Sequence, residues 1–166
     1  MICWRWRKAD PYLLVVLLLP LACGLVRAQH VGVGAQIGNL SGLTVRLFKA
    51  DTLHVQQEKV PLEHRPMAME WLFEWSLRNS YTLHTNFLHS QRIPGSALTL
   101  DIGFGLITRL ETEQGSRRFI PGISQQTGVH FFRSRYEVFL RAVPHVRIEP
   151  AFKLFMGGGM GIRYIL

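Results

Sequence analysis

Residues 151–166, AFKLFMGGGMGIRYIL, end the chain on a run whose alternate positions have opposite character. Phe152, Leu154, Met156, Met160, Ile162, Tyr164 and Leu166 share one parity. Lys153, Gly157, Gly159, Gly161 and Arg163 share the other, with Phe155 and Ile165 as apolar exceptions. Successive side chains of an extended chain point to opposite sides, so this spacing predicts a strand with one continuous apolar face. A helix of the same composition would mix the two sets around its circumference.

The same period of two recurs upstream. In 136–149, Tyr136, Val138, Leu140, Ala142, Val146 and Ile148 alternate with Glu137, Arg141, His145, Arg147 and Glu149. Leu98, Leu100, Ile102, Phe104 and Leu106 alternate with Thr99, Asp101, Gly103 and Gly105, and Trp71, Phe73, Trp75 and Leu77 with Glu70, Glu74 and Ser76. Tyr81, Leu83 and Phe87 form a fifth set, Leu43, Val45 and Leu47 a sixth, and Val31, Val33, Ala35 and Ile37 a seventh. Residues 119–132 alternate less regularly and supply the last candidate. Eight strands and no helix result.

The N-terminal residues have a different logic. Arg5, Arg7 and Lys8 precede an apolar run from Leu13 to Val26, and Val26-Arg27-Ala28 has the small-x-small form of a cleavage site. A spanning helix needs about 20 apolar residues, more than this run holds, and Pro20 and Gly24 interrupt it. Residues 1–28 therefore read as a cleavable signal peptide and residues 29–166 as one domain. The formal charge of +8 (19 Lys+Arg, 11 Asp+Glu) loses four basic residues and one acidic residue with that segment, leaving +5. Cys3 and Cys23, the two cysteines, leave as well, so the mature chain has no thiol, disulfide or cysteine metal ligand.

An alternating strand turns its apolar face either to the core of a sandwich or to lipid. Three features favour lipid. Several strands reach the ~9–11 residues that a tilted crossing strand needs. The opposite face mixes glycines with charges of both signs, and Trp71, Trp75, Tyr81, Tyr136 and Tyr164 lie towards strand ends like an interfacial girdle. In lipid every backbone N–H and C=O must pair within the sheet, which requires closure. The fold class expected is all-β: an eight-stranded antiparallel transmembrane up-and-down barrel. Its interior charges would be Arg46, Glu74, Asp101, Glu137, Arg141, Lys153 and Arg163, four positive and three negative, which implies a plugged lumen.

On these residues the mature chain resembles the small eight-stranded outer-membrane β-barrel proteins of Gram-negative bacteria, the group that includes outer membrane protein A and X-like barrels. GAQIGNLSGLT (34–44) is similar to the glycine-rich first hairpin of short members, and GGGMGIRYIL (157–166) to their closing strand. Gly161, Tyr164 and Leu166 resemble the terminal signal read by the barrel-insertion machinery, with Leu166 where the family most often has Phe. The resemblance implies an outer-membrane location, both termini in the periplasm, and contact with outer-membrane lipid and lipopolysaccharide. Segments 39–42, 78–80, 111–118 and 149–150 would face outward; 51–69, 91–97 and 133–135 would face the periplasm, with 51–69 long for such a turn. Arg117 and Arg118 would then be loop residues able to pair with lipopolysaccharide phosphates.

Signals for chemistry are sparse. The seven histidines (His30, His54, His64, His84, His89, His130 and His145) form no HExxH motif, and no metal or other cofactor is expected. His89-Ser90 beside Glu70 and Glu74 has the composition of a hydrolase triad, but adjacent strand residues face opposite ways. VGVG and GGGMG precede no helix and so cradle no phosphate. Basic residues are dispersed, which disfavours nucleic acid. The expectation is a non-enzymatic barrel with a structural, adhesive or envelope-integrity role. The alternatives are a lipid-modifying outer-membrane enzyme and a soluble lipocalin-like periplasmic binder of an apolar ligand.

Overall fold

A computed structural model of the chain describes residues 28–49, 67–76, 80–113, 116–148 and 152–166. Residues 1–27, which hold most of the expected signal peptide, and residues 50–66 of the long connection lie outside the described residues. Eight strands are present: β1 (Ala28–Gly38), β2 (Gly42–Lys49), β3 (Met67–Ser76), β4 (Ser80–Arg92), β5 (Leu98–Glu113), β6 (Ser116–Arg133), β7 (Tyr136–Arg147) and β8 (Lys153–Ile165). Each pairs antiparallel with its sequence neighbours, and β1 pairs with β8, so the sheet is a closed up-and-down barrel without edges.

Closure depends on close backbone approach along the β1–β8 seam, where Gly34 faces Arg163 and Gln36 faces Gly161. A Cβ on Gly34 would lie 1.9 Å from the Ile162 carbonyl oxygen. One on Gly161 would lie 2.4 Å from both the Ala35 carbonyl oxygen and the Phe139 ring. Only glycine fits at either position. Between β6 and β7 the two-residue turn puts Ser134 at φ 56°, the positive angle such hairpins demand.

The hairpin end of the barrel, where β1–β2, β3–β4, β5–β6 and β7–β8 connect, is less loop-rich than expected. Arg117 and Arg118 are strand residues, opposite Thr112 and Glu111, because β5 and β6 pair out to Glu113 and Ser116. The expected 111–118 loop is therefore mostly ladder: alternation continues through Leu110 and Phe119, and backbone pairing extends with it. At the terminal end, where the chain enters and leaves, Gln91 and Arg92 similarly extend β4, and Met67 to Met69 already belong to β3.

The parity of the strands puts apolar residues outside. Among the described residues, 27 large hydrophobic side chains are exposed and 12 hydrophobic ones are buried, while 17 polar or charged ones are buried. Trp71 departs from the expected girdle: it has outward parity but is buried, as is Leu47 nearby. Two other aromatic groups do mark the rims. Phe73 stacks on Tyr81 and leans on Trp75 near the hairpin end, and Tyr136 meets Tyr164 edge to face at the terminal end. Pro144, which has no N–H, interrupts the β6–β7 ladder, where Gln125 and Gln126 lack partners on β7. An outward-open apolar groove of about 580 Å³ lies there, lined by Phe87, Phe104, Leu106, Ile123, Pro144 and Leu154.

Candidate functional site in the barrel interior

Eight strands enclose a space that side chains can just fill, and here charged side chains fill much of it. Arg46 on β2 sits directly opposite Glu70 on β3. Its Nη1 donates to Asp101 Oδ2 at 2.5 Å and Glu137 Oε1 at 3.0 Å, and its Nη2 donates to Ser90 Oγ at 3.0 Å. Arg163 on β8 donates from Nε to Thr44 Oγ1 at 2.6 Å; its Nη2 lies 2.6 Å from Glu70 Oε2 and its Nη1 3.0 Å from Glu137 Oε1. Arg141 on β7 pairs with Glu70 and donates to Gln36 Oε1. Three guanidinium groups and three carboxylates are thus interleaved, so their formal charges cancel.

This balance matters because a buried charge is costly unless it is paired and hydrogen-bonded. All six of these side chains are at most 4% exposed. Aromatic rings complete their surroundings. The Arg163 guanidinium carbon lies 3.9 Å from the Phe139 ring centre, that of Arg141 5.1 Å, and that of Arg46 5.0 Å from Phe48, each within cation–π range. His130 joins the carboxylates: Nδ1 is 2.5 Å from Glu137 Oε1 and Nε2 is 2.8 Å from Asp101 Oδ2. Only the Nδ1 contact has hydrogen-bond geometry; Nε2 has no hydrogen-bond partner.

Five of the seven interior charges expected from sequence (Arg46, Asp101, Glu137, Arg141 and Arg163) meet in this network. Glu74 and Lys153 do not. Glu74 lies nearer the hairpin end, its Oε2 2.9 Å from His84 Nε2. Lys153 begins β8 at the rim and is exposed; its parity is inward, but the strand has there left the enclosed section. Two members were missed. Glu70 shares the parity of Glu74 and stands in register with Arg46, a cross-strand relation that sequence parity alone does not reveal. His130 lies on β6, where alternation is weakest.

A second polar group occupies the hairpin-end mouth. The His84 and His145 rings are perpendicular with centroids 6.1 Å apart, and His145 stacks on Phe155 at 5.4 Å. His145 Nδ1 is 3.1 Å from the Val143 carbonyl oxygen. Arg147 lies over the other part of this aromatic platform, 4.1 Å from the Phe155 centre, and Arg109 Nη2 pairs with Glu111 Oε1 at 2.5 Å. Leu40 folds in from the β1–β2 turn against Leu72 and Val143, forming the apolar cluster of the interior.

The remaining sequence candidates separate. His89 is exposed on the outer face, whereas Ser90 points inward to Arg46, so the two do not meet. His84 and His89, four residues apart in between, likewise project to opposite sides. Gly161 accommodates Phe139, Tyr164 Oη accepts from Arg135 Nη1 at 3.1 Å, and the Leu166 N–H donates to the Val31 carbonyl at 2.8 Å. Arg118 is exposed near the hairpin end. Among the described residues no group of three or more His, Cys, Asp or Glu side chains is arranged to hold a metal ion. In comparisons with family models, curated proteins and solved structures, the chain matches none.

Proposed function

We propose that the chain is a bilayer-spanning barrel of the Gram-negative outer membrane, exported through a cleaved signal peptide, with a plugged, charge-paired lumen. Its role in this reading is non-enzymatic: structural, adhesive or in envelope integrity. The observation that carries it is the inverted distribution of polarity. Exposed large apolar side chains occur on all eight strands, Phe104 at 68%, Leu154 at 71% and Met160 at 57% among them, while the interior holds the ions. Fully burying one such side chain is worth about 1.5–3 kcal/mol. Water-soluble monomers rarely expose a contiguous apolar patch beyond a few hundred Å². Lipid removes that penalty, and closure leaves no strand edge unpaired within it.

The two aromatic groups, one at each rim, support an interfacial placement. The interior charges weigh against the lipocalin-like alternative, since an apolar ligand would meet three guanidinium groups and three carboxylates. Insertion would be directed by the terminal Gly161, Tyr164 and Leu166 signal through the barrel-insertion machinery. Of the arginine pair on β6 at the hairpin end, the exposed Arg118 would reach lipopolysaccharide phosphates from the strand itself; the Arg117 side chain lies outside the described residues.

Heat modifiability tests the reading. Outer membranes from expressing cells are run on a detergent gel with and without boiling. A folded membrane barrel keeps its shape in detergent until heated, so a mobility shift confined to the outer-membrane fraction is expected. Recovery in the soluble periplasm without a shift would overturn it.

A further inference from the structure

We propose that the groove beside Pro144 binds an acyl chain of a bilayer lipid, one that carries a hydroxyl group along its length. The inference rests on the membrane reading for the source of that chain and on one backbone carbonyl for its chemistry. Ser124 pairs with His145 and Thr127 with Ala142, so the register puts Gln125 opposite Pro144 and Gln126 opposite Val143. The β6–β7 ladder is broken at those two positions, whereas β7 pairs with β8 without a break through Pro144 and Met156. A hydrogen-bonded antiparallel pair exchanges two bonds. Pro144 cannot supply the N–H of one of them, so the Gln125 carbonyl that would accept it has no donor on β7.

The groove opens at that carbonyl. Gln125 and Pro144 line it together with Phe104, Leu106, Ile123 and Leu154. The two other polar side chains there have partners of their own: Ser124 Oγ donates to Asn86 Oδ1 at 3.0 Å, and His145 Nδ1 faces the Val143 carbonyl at 3.1 Å. Its volume of about 580 Å³ lies within the ~300–1,000 Å³ of small-molecule sites. Phe104, Leu106, Ile123 and Leu154 also belong to the exposed apolar wall, so the groove is continuous with it and a bilayer fills it with hydrocarbon. A plain chain leaves the carbonyl unpaired and away from water, which costs free energy. A hydroxyl on the chain supplies the donor, and its oxygen can accept from the exposed Gln125 amide.

The test uses the full chain, purified folded in detergent, with its heat-dependent gel shift as the check on the membrane reading. A fluorescent fatty acid is bound, then displaced by a saturated fatty acid and by isomers of that acid hydroxylated at successive positions; the free acids stand in for the lipid's chain. Pro144→Ala restores an N–H opposite Gln125, and Ile123→Trp fills the groove. Comparing each acid on the wild type and on Pro144→Ala cancels its partitioning into the micelle.

On the wild type, the acid hydroxylated at one position is expected to displace the probe about 2–10-fold more effectively than the plain acid, the range of one neutral hydrogen bond. Pro144→Ala should erase that preference while still binding the plain acid, and Ile123→Trp should lose both. A preference that persists in Pro144→Ala, no preference at any hydroxyl position, or unchanged binding in Ile123→Trp would overturn the proposal and leave the membrane reading standing. Absence of the gel shift in the wild type would overturn the membrane reading, and the lipid as source of the chain with it. If Pro144→Ala fails to fold, the scan of hydroxyl positions on the wild type carries the test with Ile123→Trp.

Discussion

Glu70 is completely buried and in contact with two guanidinium groups, those of Arg141 and Arg163, with that of Arg46 4.0 Å away. Among the described residues no other acid pairs with Arg141; its remaining partners are the amides of Gln36 and Gln126 and the Phe139 ring. Replacing Glu70 by Ala leaves buried positive charge without its counter-ion, a change that ordinarily costs about 3–5 kcal/mol. The expected result is a lower unfolding midpoint in urea for the detergent-folded barrel. Arg141→Met in the same chain should restore part of the loss, and a double-mutant cycle would read the coupling. A loss below about 1 kcal/mol for Glu70→Ala, the range of an exposed pair, would mean that water reaches this part of the interior freely. The sequence marked Glu70 as inward by parity, yet gave no reason to rank it above Glu74. Which acid meets Arg46 is decided by the β2–β3 register.

Each strand separates its residues between two solvents, and β7 does so most regularly. Tyr136, Val138, Leu140 and Ala142 are exposed while Glu137, Phe139, Arg141 and Val143 are buried. Leu140 is 56% exposed near the middle of the strand. If that face meets hydrocarbon, Leu140→Arg should destabilise the barrel by about 2–4 kcal/mol in lipid vesicles, the cost of a cation near the bilayer midplane. If it meets water, the change should stay within about 0.5 kcal/mol. Folding free energies in vesicles of defined lipid distinguish the two. Strand length carries a related consequence. β5 and β6, at 16 and 18 residues, exceed the ~9–11 residues a crossing requires. In the proposed bilayer-spanning barrel their hairpin-end portions, with Arg109, Glu111 and Arg118, would extend past the apolar band, where charge is tolerated.

At the scale of the whole barrel, closure and filling go together. Eight strands leave a bore that side chains can occupy completely. Arg46, Arg163, Phe48, Phe139, Leu72, Gln126 and Glu70 are all under 2% exposed around it or are at that limit. Such an interior admits no hydrated ion without rearranging a network of paired charges. In planar bilayers the reconstituted wild type is therefore expected to give no stepwise conductance. Stable single-channel steps would mean that the network opens under an applied potential, and a transport role would replace the plugged reading.

The sequence by itself determined the strand number, the face most residues take and five of the interior charges, because side-chain direction in an extended chain repeats every two residues. The close of the chain, from Phe152 to Leu166, made that reading possible from one segment. Parity says nothing about height along the barrel axis. Height follows from the stagger that closure imposes across β1 and β8, and it decided that Lys153 stands at the rim while Arg163 is enclosed. It also brought His130 between Asp101 and Glu137. Only the tertiary structure could set His84 against His145, because they lie on β4 and β7, strands that share no ladder. Their meeting depends on side-chain reach across the lumen, which no spacing along the chain encodes.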